Sequence, residues 1–328
     1  MNPFRYERAI DDAGAIAAHV RSARAAYLGG GTNLVDLMKL RVATPETLVD
    51  VARLGNDRIE DLPGGGLRIG GAVKNSVLAA DRRVRTHYPA LSEALLSGAS
   101  GQLRNLATTA GNLLQRTRCA YFQDVSKPCN KREPGTGCPA REGYHRTLAI
   151  LGASEACIAT HPSDMAVALA AFDAVVVIRG TAGERRVPLV GFHRLPGNDP
   201  SRDTVLEPDD LIVAVELPAL PLARNSTYRK ARDRASYAFA LVSVAAALDL
   251  EDGVVRDLRL VLGGVAHKPW RALSAETYLV GKPINENNVR AAADVELSAA
   301  RPLPENAFKV TLARNMLVRA LLDLAEVG

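Results

Sequence analysis

Cys119, Cys129, Cys138 and Cys157 are the only cysteines in the chain, and they fall within 39 of its 328 positions. Nine, eight and eighteen residues intervene between them. Scattered core cysteines rarely cluster so tightly, and a catalytic thiol needs no three companions. A zinc site usually carries one close pair about two to four residues apart, which is missing here. A cubane iron-sulfur cluster takes four thiolates and tolerates wide spacing when a loop wraps round it. Spacing alone leaves three fates open: an iron-sulfur cluster first, disulfides next, zinc or no ligand last. Arg118, Lys131 and Arg132 stand beside these cysteines and would offset the charge of a four-thiolate cluster.

Two glycine turns carry a second chemistry. Gly29-Gly30-Gly31-Thr32-Asn33 lies between an expected strand and an expected helix, where the backbone is free to take positive φ and turn successive amides inward. Such a turn can cradle a pyrophosphate. It is neither the dinucleotide-binding glycine pattern nor a Walker loop, and by itself a plain tight turn explains it as well. Thr108-Thr109-Ala110-Gly111-Asn112 repeats the same mixture of hydroxyls, glycine and amide. Two such turns can close on one diphosphate from opposite sides with neutral donors. Alone, the second also reads as a helix-to-loop junction.

Composition narrows the classes. Lys and Arg exceed Asp and Glu by 41 to 36, but the cations are spread along the chain and aromatics make up 5% of it, without the interleaving that base stacking uses. No nucleic-acid partner is expected. The local excess at Arg104, Arg116, Arg118, Lys127, Lys131 and Arg132 fits an anion or cluster neighbourhood, a docking face for an acidic partner, or a solvated surface. The first residues lack the apolar core of an export signal, and the densest apolar run, 238–248, is too short to span a bilayer, so no membrane insertion is expected.

The elements that must position these residues follow from periodicity. A helix is expected from Asp11-Asp12 through Val20, a strand at 25–28, a helix at 34–40 and a strand at 47–51. After Gly64-Gly65-Gly66 come a strand at 67–71 and a mostly helical stretch, 77–96, punctuated by Pro89. Segment 116–144 breaks the pattern with prolines, glycines and three of the cysteines, and looks inserted. Ser163-Asp164 caps a helix at 165–172, followed by strands at 174–179 and 210–217 and a linker at 218–221. Segments 240–250 and 255–265 join as a hairpin through Glu251-Asp252-Gly253, with helices at 275–280, 286–299 and 306–326.

Gly29 to Leu34, the run Gly98-Ala99-Ser100-Gly101-Gln102-Leu103-Arg104-Asn105, Thr108 to Asn112, Pro162-Ser163-Asp164 and Gly263-Gly264-Val265 together resemble the FAD-binding subunits of the molybdenum hydroxylases, the xanthine dehydrogenase and carbon monoxide dehydrogenase family. In most of that family the Gly-Asn turn leads almost directly to the Ser-Asp helix. Here some forty residues with the cysteines intervene, as in the periplasmic aldehyde oxidoreductase branch, whose insert carries a 4Fe-4S cluster, and more distantly in 4-hydroxybenzoyl-CoA reductase. The stretch 228–247, with Lys230, Arg232 and Arg234, strengthens that closer match.

The resemblance implies an α+β fold: a two-part FAD-binding domain of the PCMH type over 1–220, with sub-domains at about 1–54 and 55–220 and an iron-sulfur insert at about 116–158. An antiparallel sheet with helices, the carbon monoxide dehydrogenase flavoprotein-like domain, follows over 223–328. It implies FAD held by Ala26, Tyr27, Leu28, Gly29, Gly30, Gly31, Thr32, Asn33 and Leu34 on one turn and by Thr108, Thr109, Gly111 and Asn112 on the other. Asp164 would hold the ribose or adenine end, Ile212 and Lys230 would lie by the isoalloxazine, and Asp124 would reach the flavin from the insert. Ala110 stands where many relatives have glycine. Cys119, Cys129, Cys138 and Cys157 would ligate the 4Fe-4S cluster.

It further implies a molybdenum-cofactor large subunit that oxidises substrate and a small subunit whose 2Fe-2S clusters pass electrons to this flavin, in a heterotrimer. No catalytic base is expected in this chain. The periplasm is the expected location, reached by co-export with a signal-bearing partner, with the cytoplasm as the alternative. Two rivals remain at this stage, a stand-alone flavin oxidoreductase of the same fold and a zinc-stapled basic binding module.

Overall fold

The computed structural model of the chain describes residues 1–327. The first layer runs β1 (Arg5–Arg8), α1 (Asp12–Val20), β2 (Ala25–Leu28), α2 (Leu34–Lys39) and β3 (Thr47–Asp50), with both outer strands parallel to a central β3. Asp11 starts α1 by accepting the Gly14 amide at 2.6 Å. Strand β1 departs from the sequence expectation. Its Arg-Tyr-Glu-Arg is exposed throughout and has no apolar alternation, so only pairing at the sheet edge reveals it.

The second layer is an antiparallel sheet. Strands β4 (Ile59–Asp61) and β5 (Leu67–Gly70) lead into five short helices: α3 (Asn75–Ala80), α4 (Arg82–His87), α5 (Pro89–Ser97), α6 (Gly101–Leu106) and α7 (Thr109–Leu113). The expected 77–96 helix is thus divided, and Pro89 takes the first position of α5, where a missing N–H costs nothing. After the cysteine segment, whose regular structure is limited to α8 (Ala120–Gln123) and a 3₁₀ turn at Pro139–Arg141, come α9 (Asp164–Ala171), β6 (Val175–Gly180), β7 (Gly183–Pro188), α10 (Leu189–Phe192) and β8 (Leu211–Leu217). The strand order is β4-β5-β8-β6-β7. Polar, largely exposed edge strands β4 and β7 are again unannounced by periodicity.

The last block is a four-stranded antiparallel sheet, β9 (Ser226–Ala231), β10 (Val242–Glu251), β11 (Val254–Gly263) and β12 (Trp270–Arg271), with α11 (Leu273–Leu279), α12 (Glu286–Leu297) and α13 (Phe308–Val327). Asp252 and Gly253, at φ 51° and 76°, form the two-residue hairpin turn. Strand β10 is buried on both faces and its alternation divides two cores. Ala245 and Ala247 face Leu91, Leu95 and Met165, whereas Val242, Val244, Ala246 and Leu248 face Leu317 and Leu321 of α13. The small face lets α9 approach so closely that a Cβ at Gly263 would meet Val167 at 2.6 Å. Segment 218–221, read as a linker, therefore joins two blocks whose apolar faces meet.

Candidate functional site

Two glycine turns cross at the centre of a cleft. A Cβ at Gly30 would lie 2.0 Å from the Leu106 carbonyl oxygen and one at Gly29 would lie 2.9 Å from Thr108 Oγ1, so both positions must be bare for the turns to touch. Gly31 takes φ 73° and releases the chain into α2. Thr108 caps α7 by accepting the Gly111 amide at 3.2 Å. Asn33 Oδ1 accepts the Arg116 amide at 2.9 Å, while its Nδ2 is buried without a partner. A bare-backbone cradle with an orphaned amide donor fits an anionic bridging group such as a diphosphate.

On one side lies a cavity of about 300 Å³, walled by Thr32, Asn112, Gln115, Arg118, Asp164, Lys230, Tyr237 and Phe239 among others. Its floor is a buried ion pair. Lys230 Nζ donates to Asp164 Oδ2 at 2.7 Å and to the Ser97 carbonyl at 3.2 Å, with the two side chains 3% and 9% exposed. Tyr228 Oη donates to Asp164 Oδ1 at 2.6 Å, and burial together with the Asp164 charge pushes this phenol's pKa well up. Ser226, Tyr228 and Lys230 share one face of β9. Ser163 ties the second turn to α9 by donating to Asn112 Oδ1 at 2.6 Å.

On the other side Tyr27, Gly29, Val51, Leu54, Gly71, Thr108, Ala110, Asp210 and Ile212 line a narrower, apolar pocket of about 80 Å³. Tyr27 donates to the Asp209 carbonyl at 3.0 Å and stacks on His19 at 4.4 Å. Ala110 packs toward Gly71, where a Cβ would come within 3.4 Å of its methyl, so the extra methyl here faces the narrow pocket.

Asp164 and Lys230, expected at different ends of the FAD, form one ion pair on the large cavity, and Ile212, expected beside Lys230, lies in the other pocket, across the turns. Asp124 is exposed and folds back to accept the Ser126 amide at 2.9 Å and hydroxyl at 2.7 Å, away from the cleft. Thr109 donates inward to the Val73 carbonyl at 3.1 Å. Ala26, Leu28 and Leu34 support the first turn from β2 and α2 without lining either cavity.

All four cysteines are free thiols and ring one small cavity with Tyr121, Phe122, Pro128, Ala140 and Ile158. Among the described residues no three His, Cys, Asp or Glu side chains gather as ligands of a single metal ion. Four thiols lining one space are the donor set that a multi-iron group would take. The neighbouring Cys157 thiol holds Cys138 below an ordinary thiol, Cys138 and burial push Cys157 up, and burial raises Cys119.

The loop is held by cations on carbonyls. Arg132 donates to the Phe122 carbonyl at 2.7 Å, and Lys131, buried, donates to the Pro200 carbonyl at 2.9 Å and pairs with Asp203. Lys309 in α13 donates to the carbonyls of Thr147, Leu148 and Gly264 at 3.2, 2.8 and 2.6 Å. Arg118, expected beside the cluster, lines the large cleft cavity and, with Cys119, a neighbouring one of about 310 Å³, but not the cavity ringed by all four cysteines. Sequence reading also missed a buried histidine group, His161, His193 and His267, at the seam between this loop and the second layer. Nothing in their spacing announces it.

The domain model described as the FAD binding domain in molybdopterin dehydrogenase matches residues 2–220, and the carbon monoxide dehydrogenase flavoprotein C-terminal domain matches 226–324. The chain is 53% identical to the aldehyde oxidoreductase FAD-binding subunit PaoB of Escherichia coli (strain K12), covering 98% of each. It is 26% identical to the glyceraldehyde dehydrogenase medium chain of Sulfolobus acidocaldarius, covering 84% of this chain and 80% of that one. Among solved structures, a carbon monoxide dehydrogenase from Hydrogenophaga pseudoflava superposes with TM-score 0.76 at 25% identity, covering 99% and 98%.

Proposed function

Because this chain belongs to the family of FAD-binding subunits of the molybdenum hydroxylases, we propose that it is the FAD- and 4Fe-4S-carrying electron-transfer subunit of a molybdenum-dependent aldehyde oxidoreductase. One observation carries the reading: a single chain brings a bare-backbone diphosphate cradle and a ring of four thiols into one α+β scaffold. The substrate class rests on the likeness to the E. coli aldehyde oxidoreductase subunit.

Gly29, Gly30, Gly31, Thr32 and Asn33 would hold the diphosphate with Thr108, Gly111 and Asn112. The pocket of Tyr27, Leu54 and Ile212 offers an apolar slot suited to adenine, and the Asp164–Lys230 pole would take the isoalloxazine. Bound FAD supplies a ring that accepts two electrons and yields them singly or together. Lys230 would hold positive charge beside that ring, and Asp164 and the Ser97 carbonyl fix where its ammonium sits. Cys119, Cys129, Cys138 and Cys157 would ligate the 4Fe-4S cluster, a one-electron carrier. In this reading a molybdenum-bearing large subunit would oxidise the aldehyde, 2Fe-2S clusters of a small subunit would deliver the electrons, and an external acceptor would take them. We place the complex in the periplasm, exported folded with a signal-bearing partner. No helix among the described residues is long and apolar enough to cross a membrane.

The test is an anaerobic absorption spectrum with iron and flavin quantitation on the complex purified with its partners. One FAD and about four irons beyond those of the small subunit are expected; zinc in place of that iron sinks the cluster. Cys129→Ser should remove the added iron and its absorption, and full iron retention contradicts the four-cysteine assignment. Asp164→Ala should leave Lys230 buried without its counter-ion and shed FAD on gel filtration; unchanged occupancy counts against its role.

A further inference from the structure

We infer that Arg118, contributed by the cysteine insert, faces the flavin ring and acts with Lys230 to stabilise its anionic reduced form. The inference rests on the reading that the cleft holds FAD with its ring at the Asp164–Lys230 pole. Arg118 directly precedes Cys119, yet its side chain lines the 300 Å³ cavity with Asp164 and Lys230 and is absent from the cysteine-lined one. It also lines a neighbouring cavity of about 310 Å³ that shares Asp164, Ala238 and Phe239 with the first and reaches Cys119.

Its state differs from that of the other cations there. Lys230 is neutralised by Asp164, Arg104 donates to the Gly98 carbonyl at 2.6 Å, and Arg234 is bound to the Tyr237 carbonyl. Among the described residues Arg118 makes no ion pair and no hydrogen bond; it lies over the Phe239 ring at 4.8 Å, with Nε buried and unpartnered. Asp36 shares the wall but stands beyond ion-pair distance. A half-buried guanidinium without an anion is costly until negative charge arrives. Two electrons from the partner's clusters and one proton from water convert the oxidised ring to its anionic reduced form. The new negative charge would then meet Arg118 and Lys230, which line the same cavity.

The experiment uses the whole complex, with the two-electron midpoint potential of bound FAD measured by anaerobic dye equilibration alongside flavin and iron contents. Arg118→Gln should keep its iron and lower the reduction equilibrium at least tenfold, about 30 mV for a two-electron couple. Arg118→Lys should recover most of that shift. A glutamine variant that retains FAD and titrates at the wild-type potential overturns the proposal, as does a lysine variant as low as the glutamine one. Should Arg118→Gln lose FAD, Phe239→Leu is titrated instead: a shifted potential supports the role and an unshifted one overturns it. Lys230→Gln separates the premises. A shift there with none in Arg118→Gln sinks Arg118 alone, and unchanged potential and FAD content in both sink the reading of the cleft.

Discussion

In the cleft, the polar groups hang from the ends of regular elements: Thr32 before α2, Thr108 and Asn112 around α7, Asp164 at the start of α9 and Lys230 on β9. In the neighbouring insert, α8 and one 3₁₀ turn are the only regular elements, and Arg132, Lys131 and Lys309 reach main-chain carbonyls in place of a ladder. The cleft inherits its geometry from apolar cores that exist without a ligand. The insert's small apolar cluster contains the cysteines and is completed by Leu37 of α2 and by Leu303. One region is positioned by packing, the other by satisfied carbonyls and by whatever its thiols hold.

That contrast can be broken most severely at Gly30. A Gly30→Val side chain would force the two turns apart, so FAD should be lost entirely while the insert keeps its iron, read by flavin and iron quantitation on the purified complex. Flavin retained at full stoichiometry would mean that the crossing of the turns does not set the cleft.

A smaller effect should appear at the seam. Burial holds His193 at about 4 and His267 at about 3, against about 6.5 in the unfolded chain. Above pH 6.5 both states are neutral there and nothing is lost. As pH falls from about 6.5 toward 4 the unfolded chain takes up protons that the fold refuses, so stability declines. For His193 alone the loss should reach about 2 kcal/mol by pH 5, and His193→Gln should flatten that part of a urea-midpoint profile. A profile unchanged by the substitution would remove the histidines from the seam's energetics.

The mildest test removes a helix cap that also tethers the second turn through Asn112. Ser163 caps α9 by accepting the Ala166 amide at 3.0 Å, and Ser163→Ala should cost about 1 kcal/mol in urea denaturation with iron content intact. Loss of iron from this variant would show that the two regions are not independently built.

Most of the fold was legible where apolar periodicity exists: α1, β2, β8, the β10–β11 hairpin and α12 stand close to where alternation, caps and a Gly turn put them. Strands β1, β4 and β7 were not, because polar edge strands owe their conformation to a neighbour's hydrogen bonds. In the candidate site, the glycine turns were visible as motifs, but the crowding of Gly30 against Leu106 was not. Tyr228 could have been found by placing it two residues from Lys230 on one strand face. The side chain of Arg118 could not, since sequence adjacency to Cys119 pointed to the wrong cavity.

The sequence by itself determined which chemistries are present: four clustered thiols and two bare turns rich in neutral donors. Residue type and local spacing suffice for that. Only the tertiary structure decided which of these groups share a space. It joined Asp164 to Lys230, which are 66 positions apart, set Ile212 across the turns from both, turned Asp124 out to solvent and swung Arg118 into the cleft. Those outcomes depend on how the sheet and helix faces meet around β10, and packing of surfaces remote in sequence has no local signature.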